Sequence, residues 1–179
     1  LAKQVPNATS GTGTINVDTY NGSTKVGTKT CMFTCTVPEK VTPTMAAASV
    51  TVDNSASSVV AGWNLCVVGF SKPKITASAS DKYGSSIRSY SIDGVYQAAQ
   101  SDGSLSYTGG VFSSEGKKAF NVCATDGRGR TSKGLNTNEV EVVPYHPPYV
   151  SAFSAYRNPA NNSQVVVHAT WVFASVKEK

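Results

Sequence analysis

The chain has 179 residues and a net charge of +5, with charged side chains making up only 15% of the whole. Its basic residues are strewn singly, densest at Lys117-Lys118 and Arg128-Gly129-Arg130, which argues against a nucleic-acid binder with its basic element and stacking aromatics and for charges on solvated strand edges. No apolar run approaches the ~20 residues of a membrane span, and the bias toward Ser, Thr, Gly, Ala and Val is that of an extended all-β surface protein rather than a catalytic α/β domain.

Taken in order, Ile15 and Val17 alternate with polar residues and run into Asn21-Gly22, a strong hairpin signal, after which Cys31 to Val37 returns as a second strand. Val37-Pro38-Glu39-Lys40-Val41-Thr42-Pro43 then reads as a strand end and a proline-bounded linker. Met45 to Val52 is a predicted strand, Val59 to Phe70 a second apolar stretch, and Ile75 to Ala79 a third strand ending at Asp81-Lys82-Tyr83-Gly84. Ile87 to Ile92 follows as a half-buried strand closed by the turn pair Asp93-Gly94. Ser104 to Phe112 is more polar and has no clear period. Phe120, Val122 and Ala124 alternate toward a core, Asp126-Gly127-Arg128-Gly129-Arg130 is a glycine-rich turn, and Asn138 to Val143 is a last strand. Val143-Pro144-Tyr145-His146-Pro147-Pro148 repeats the earlier linker, and two further strands, Val150 to Tyr156 and Gln164 to Phe173, flank a turn at Asn158 to Asn162.

Pro38 and Pro144 lie 106 residues apart, about the length of an immunoglobulin-like sandwich. No segment of helical length shows apolar residues at three- and four-residue spacing. The expected fold is therefore all-β, in tandem immunoglobulin-like, fibronectin III-like β-sandwich modules, one complete and two partial. Residues 1–40 would be the end of a preceding module, 41–145 a whole sandwich, and 146–179 the opening strands of a following one. A half-module leaves an inner face bare, so it needs a covering partner.

The residues give little to chemistry. Cys31 and Cys35 are four apart on one strand, ~13 Å at ~3.3 Å per residue, too far to bridge. Cys66 and Cys123 are spaced for an inter-sheet disulfide, but Trp63 precedes the pair rather than lying inside it, and reduced thiols acting as small apolar residues fit better. His146 and His168 have no Cys, Asp or Glu at metal-ligand spacing, so no metal or cofactor is expected. Asp53, Asp81, Asp93, Asp102 and Asp126 stand in predicted turns, where side-chain capping of the backbone is the ordinary role. No nucleophile, base and oxyanion site gather, and no catalytic residue is assigned. Trp63, Phe70, Phe112, Phe120, Trp171 and Phe173 are expected in the core. Tyr83, Tyr90, Tyr96 and Tyr107 are the residues that a sugar-stacking surface would draw on, with Tyr83, Tyr96 and Tyr107 its expected contacts and half-exposed tyrosine packing as the plain alternative.

Ser78 to Gly94, Ala124 to Ser132, Val142 to Tyr145 and Pro148 to Arg157, together with Val26 to Pro38, resemble the Ig-like repeats of minor structural and tail-tip proteins of siphophages that infect Gram-positive bacteria. The resemblance covers most of the chain in order. It implies a virion component on the tail or its fibres, assembled in the host cytoplasm, that spaces or presents host-attachment parts. The partners it implies are other tail proteins, copies of the chain itself and host cell-wall polysaccharide. It brings no catalytic residue, nucleic acid or membrane insertion. A carbohydrate-binding module and a bacterial surface adhesin repeat are the alternative readings.

Overall fold

The computed structural model describes residues 2–174, and its architecture is all-β apart from a single 3-10 turn at Ala2–Gln4. Contacts divide the chain into two units. The first comprises Leu1–Thr51, Lys74–Thr108 and Ala119–Asn138; the second comprises Val52–Pro73, Gly109–Lys118 and Glu139–Lys179.

The first unit opens with a long antiparallel hairpin of β1 (Ser10–Asn21) and β2 (Thr24–Thr36), turning at Asn21-Gly22 as the sequence predicts. One side of it carries Thr12, Thr14, Asn16 and Asp18 opposite Thr34, Met32, Thr30 and Thr28. Thr28 and Thr30 donate to Asp18 and Asn16 at 2.6 and 2.7 Å, and Lys25 lies 2.9 Å from Asp18. These contacts hold the Asp18 carboxyl below its usual range, the Thr28 hydrogen bond first.

Beyond the hairpin the unit is a two-layer sandwich. One sheet has the order β3-β5-β8, from β3 (Thr44–Asp53), β5 (Lys72–Ser80) and β8 (Leu105–Thr108). The other has the order β11-β10-β6-β7, from β6 (Ile87–Ile92), β7 (Val95–Ala98), β10 (Asn121–Asp126) and β11 (Leu135–Asn136). In chain order these are strands A, B and E against G, F, C and C′, an immunoglobulin-like arrangement. Val50, Ile75, Ala77 and Leu105 of the first sheet and Tyr90, Ile92, Val122 and Ala124 of the second are all buried, so each sheet covers the other's inner face. Period-two alternation places them there: on β5 and β10 every second side chain is buried. Asp93 and Gly94 both have positive φ, 48° and 84°, so β6 and β7 join through the two-residue turn whose twist suits a hairpin.

Tyr90 is the largest fully buried side chain of this core, and its hydroxyl donates to the Gly103 carbonyl at 2.7 Å. Burial raises its phenol pKa. A ring on strand C thus anchors the sandwich where antibody domains use tryptophan, and its burial takes Tyr90 out of any sugar-stacking surface.

The second unit holds the small sheet β4-β12-β9, formed by β4 (Cys66–Val67), β9 (Gly116–Lys118) and β12 (Val140–Val143), and a separate hairpin of β13 (Tyr149–Asn158) and β14 (Asn161–Val172). The apolar stretch Val59 to Phe70 is mostly turns rather than strand. Asn54 staples this loop by donating to the Trp63 and Leu65 carbonyls and accepting from the Ser71 hydroxyl, while Ser71 accepts from the Val67 N–H at 2.7 Å. Val60, Val67, Phe112 and Val142 are buried in this unit.

Expected core aromatics fare unevenly. Phe112 is buried, but Phe120 is half-buried, and Trp63, Trp171 and Phe173 are exposed. The interior is filled instead by β-branched and small residues around Tyr90, which suits closely packed thin sheets. All four cysteines are free thiols, with Cys66 buried and Cys31 exposed. Burial pushes the Cys66 thiol up to about 11, so it stays protonated and inert at neutral pH. Titration of the native chain with a thiol reagent at pH 8 is accordingly expected to modify Cys31 fast and Cys66 only at the rate of unfolding. Prompt modification of Cys66 in peptide maps would contradict its burial.

Candidate functional site

The residues with the densest organised polar contacts are those of the Asp126-to-Arg130 turn, where β10 ends, together with the Val37-to-Pro43 linker. All of them belong to the first unit. Asp126 is buried, and its Oδ1 accepts from the backbone N–H groups of Arg128 and Arg130 at 2.9 and 3.0 Å, closing the turn. Gly127 allows the close approach this turn needs: a side chain there would collide with Asn7 and crowd the Ser85 hydroxyl, which accepts the Gly127 N–H at 3.1 Å.

From this turn Arg128 points inward. Its side chain is fully buried, 3.5 Å from the Asp126 carboxylate, which makes this a buried ion pair rather than the solvated edge charge expected from the sequence. Nε donates to the Val5 carbonyl, Nη1 to the Lys82 carbonyl at 2.9 Å and to Asp126, and Nη2 to the carbonyls of Ala2 and Tyr83. A guanidinium has five N–H donors, and here each finds an oxygen. Among the described residues no buried side-chain nitrogen or oxygen lacks a partner. Tyr83 itself sits at φ 58°, a left-handed conformation unfavourable for a bulky residue, and the Arg128 bond holds its carbonyl in place.

Arg130 points the other way along the turn and grips the linker. Nη1 donates to the carbonyls of Pro38 and Val41, and Nη2 to that of Val37. Val37, Val41 and Pro43 are buried beside it, and the Val37 N–H donates to the Thr9 carbonyl at 2.8 Å. One planar cation therefore ties three linker carbonyls to the FG turn of the sandwich, a task for a rigid fork of donors rather than a point charge. The second linker, in the other unit, uses different chemistry: Tyr145 packs edge-on against Trp63 and Phe70, with ring centroids 6.0 and 5.3 Å apart. These contacts account for two aromatics that the sequence reading had assigned to the core.

Of the tyrosines named for sugar stacking Tyr90 is buried, and the other three lie on separate elements. Tyr83 is exposed in the turn before β6, and Tyr96 is exposed on β7. Tyr107 on β8 pairs with the buried Ile75, so it shares the core-facing side of its sheet and is only half exposed. Other carboxylates do the turn work expected of them: Asp53 accepts from Ser55 and Asp102 from Ser104, each through backbone N–H and hydroxyl. The Ser104 contacts lower the Asp102 pKa. His168 stacks on Tyr156 within its own hairpin, with ring centroids 5.6 Å apart. Among the described residues no three His, Cys, Asp or Glu side chains gather as metal ligands, and no helix is long and apolar enough to cross a membrane.

No curated protein matches the chain. Among solved structures it is similar to the fibronectin(III)-like modules of Clostridium thermocellum CbhA, at 19% identity over 72% of this chain and 78% of that one, with a TM-score of 0.36. The family described as siphovirus protein of unknown function (DUF859) matches residues 1–176, and the chain belongs to that siphovirus family.

Proposed function

We propose that the chain is a non-enzymatic structural segment of a phage tail protein, at the tail tip or on a fibre, that spaces and presents host-attachment parts. In this reading residues 41–145 are one complete sandwich, 1–40 close the module before it, and 146–179 open the module after it. Other tail proteins and further copies of the chain are its neighbours in the virion. The observation that carries the proposal is the Arg130 grip on the Val37, Pro38 and Val41 carbonyls. Fastening a linker by buried and half-buried polar contacts costs ordering entropy and serves no binding pocket, but it fixes one bead against the next, which is what a spacer needs. Membership of a siphovirus family supports the phage setting.

Electron microscopy of intact virions decorated with antibody raised against this chain tests the reading. Label confined to the tail is the expected result. Label on heads, or on no part of the purified particle, would exclude it.

A further inference from the structure

We propose that Asn21 is a self-modifying site: its side-chain amide is lost to attack by the neighbouring Gly22 nitrogen, leaving aspartate and isoaspartate at the tip of the β1–β2 hairpin. The reaction needs solvent water and no enzyme, and the proposal does not depend on the spacer reading.

The chemistry asks three things of one residue pair. The amide carbon must be free to be attacked, the attacking N–H must serve no hydrogen bond, and no side chain may crowd the attacking nitrogen. Asn21-Gly22 meets all three. Asn21 pairs with Thr24, so Gly22 and Ser23 alone make the turn. Gly22 sits at φ 60° and Ser23 has no positive φ, the pattern of a II′ hairpin turn with glycine first. That first position lies outside the strand ladder, and among the described residues the Gly22 N–H has no backbone acceptor. Nothing stands within 4 Å of where a Cβ would be. Asn21 is exposed, and its amide has no hydrogen-bond partner among the described residues.

Other candidates are held or blocked. Asn21 is the one asparagine of the chain that precedes glycine. Asn16 accepts from Thr30 at 2.7 Å and precedes Val17, whose branched side chain shields the nitrogen. Asn158 precedes Pro159, which has no N–H. Asp93, Asp102 and Asp126 also precede glycine, but each carboxylate already accepts a backbone N–H, from Asn121, Ser104 and Arg128. A carboxylate resists nucleophilic attack far more than a neutral amide does, so these three positions lag behind.

The step balances without a redox change. Gly22 N–H gives its proton to solvent hydroxide and the nitrogen attacks Cγ of Asn21. The N–Cγ bond forms, the Cγ–Nδ2 bond breaks, and Nδ2 leaves as ammonia after taking a proton from water. Water then opens the cyclic imide. Cleavage at Cγ restores the ordinary backbone with aspartate, whereas cleavage at the Asn21 main-chain carbonyl carbon leaves the chain running through Cγ, as isoaspartate. Either product puts a carboxylate where a neutral amide stood, so the net charge falls by one, from +5 to +4. Isoaspartate also lengthens the backbone by a carbon, and a two-residue turn closed by Asn21 and Thr24 has no slack for it, so the adjoining register of Tyr20 on Lys25 is disturbed as well.

Storage of the full native chain in mildly alkaline buffer, followed by ion-exchange chromatography and tryptic mapping, is the test. Trypsin leaves Asn7, Asn16 and Asn21 in one peptide, residues 4–25, and fragment ions tell them apart. The expected result is an acidic species that grows with time, its amide lost at Asn21 and kept at Asn7 and Asn16, with isoaspartate and aspartate both present. Asn21→Gln keeps Gly22 and the exposed position but has one methylene too many for ready ring closure, and it is expected to stay a single charge species. Circular dichroism checks that the variant is folded. Asn21 intact in the native chain after a guanidinium-unfolded sample has lost the amide, or intact in both, overturns the proposal. Equal loss at Asn7 or Asn16 overturns it too. Aspartate without isoaspartate would mean direct attack by water and would remove Gly22 from the reaction.

Discussion

Asp126→Ala is expected to cost about 3–5 kcal/mol of stability, the range for breaking a buried ion pair from one side. The residue does two jobs at once. Its Oδ1 satisfies the N–H groups of Arg128 and Arg130, and its charge offsets the guanidinium of Arg128, whose side chain has no access to water. Without it the cation is left among carbonyl oxygens alone, and desolvation of that charge dominates the loss. A fall in thermal midpoint of about 6–20 °C follows for a chain of this size. Arg128→Met is expected to be damaging for a different reason, because the carbonyls of Ala2, Val5, Lys82 and Tyr83 lose their donor. The double variant should lose less than the two singles combined, since the uncompensated charge occurs only in Asp126→Ala. Urea unfolding of all four proteins checks this; strict additivity would mean that the pair is not coupled.

The same turn shows where sequence reading works. Asp-Gly-x-Gly after an alternating strand announces a turn, and the backbone does turn there, closed through the aspartate side chain as such residues ordinarily do. The two arginines looked like solvated edge charges because nothing local distinguishes a buried arginine from an exposed one. Burial arises only when carbonyls from Ala2, Val5, Lys82 and Tyr83, distant in the chain, converge on one point. The flanking glycines were the available hint, since Gly127 leaves room for Asn7 and Ser85 to close in.

Strand periodicity was legible for a similar reason: alternation in Ile75 to Ala79 or in Val122 to Ala124 is a local property that a two-layer sandwich preserves. Size was a poorer guide to burial. Bulk alone would put Trp63 and Phe70 in the interior, yet they brace Tyr145 at the second linker, while Tyr90, on a strand that reads only as half-buried, is the largest fully buried side chain of the sandwich. A phenol goes inside when its hydroxyl finds an acceptor, and the Gly103 carbonyl that meets this need belongs to a loop whose position no local pattern gives. The two linkers, nearly alike as sequences, are likewise held by unlike means because their neighbours in space differ.

Arg130→Ala is expected to open the first linker without unfolding the sandwich. The side chain supplies charged hydrogen bonds to three carbonyls, and each such bond contributes about 1.5–3 kcal/mol. Because the guanidinium is only half-buried, a net loss near 3 kcal/mol is the reasonable magnitude, which raises the open population of the linker about 100-fold. Lys40 is exposed within this segment and is followed by the buried Val41, so trypsin reads the opening directly. Cleavage after Lys40 should be slow in the parent chain and rise in proportion to the open population in the variant, because closing outpaces proteolysis at low enzyme. Arg130→Lys should fall between the two, since an ammonium cannot span all three oxygens. The thermal midpoint of Arg130→Ala should move far less than that of Asp126→Ala, because the Asp126–Arg128 pair is untouched. Cleavage after Lys40 at the parent rate in Arg130→Ala would show that the linker is held by the burial of Val37, Val41 and Pro43 and by the Val37 N–H bond to the Thr9 carbonyl, and that the arginine fork is incidental to its stiffness.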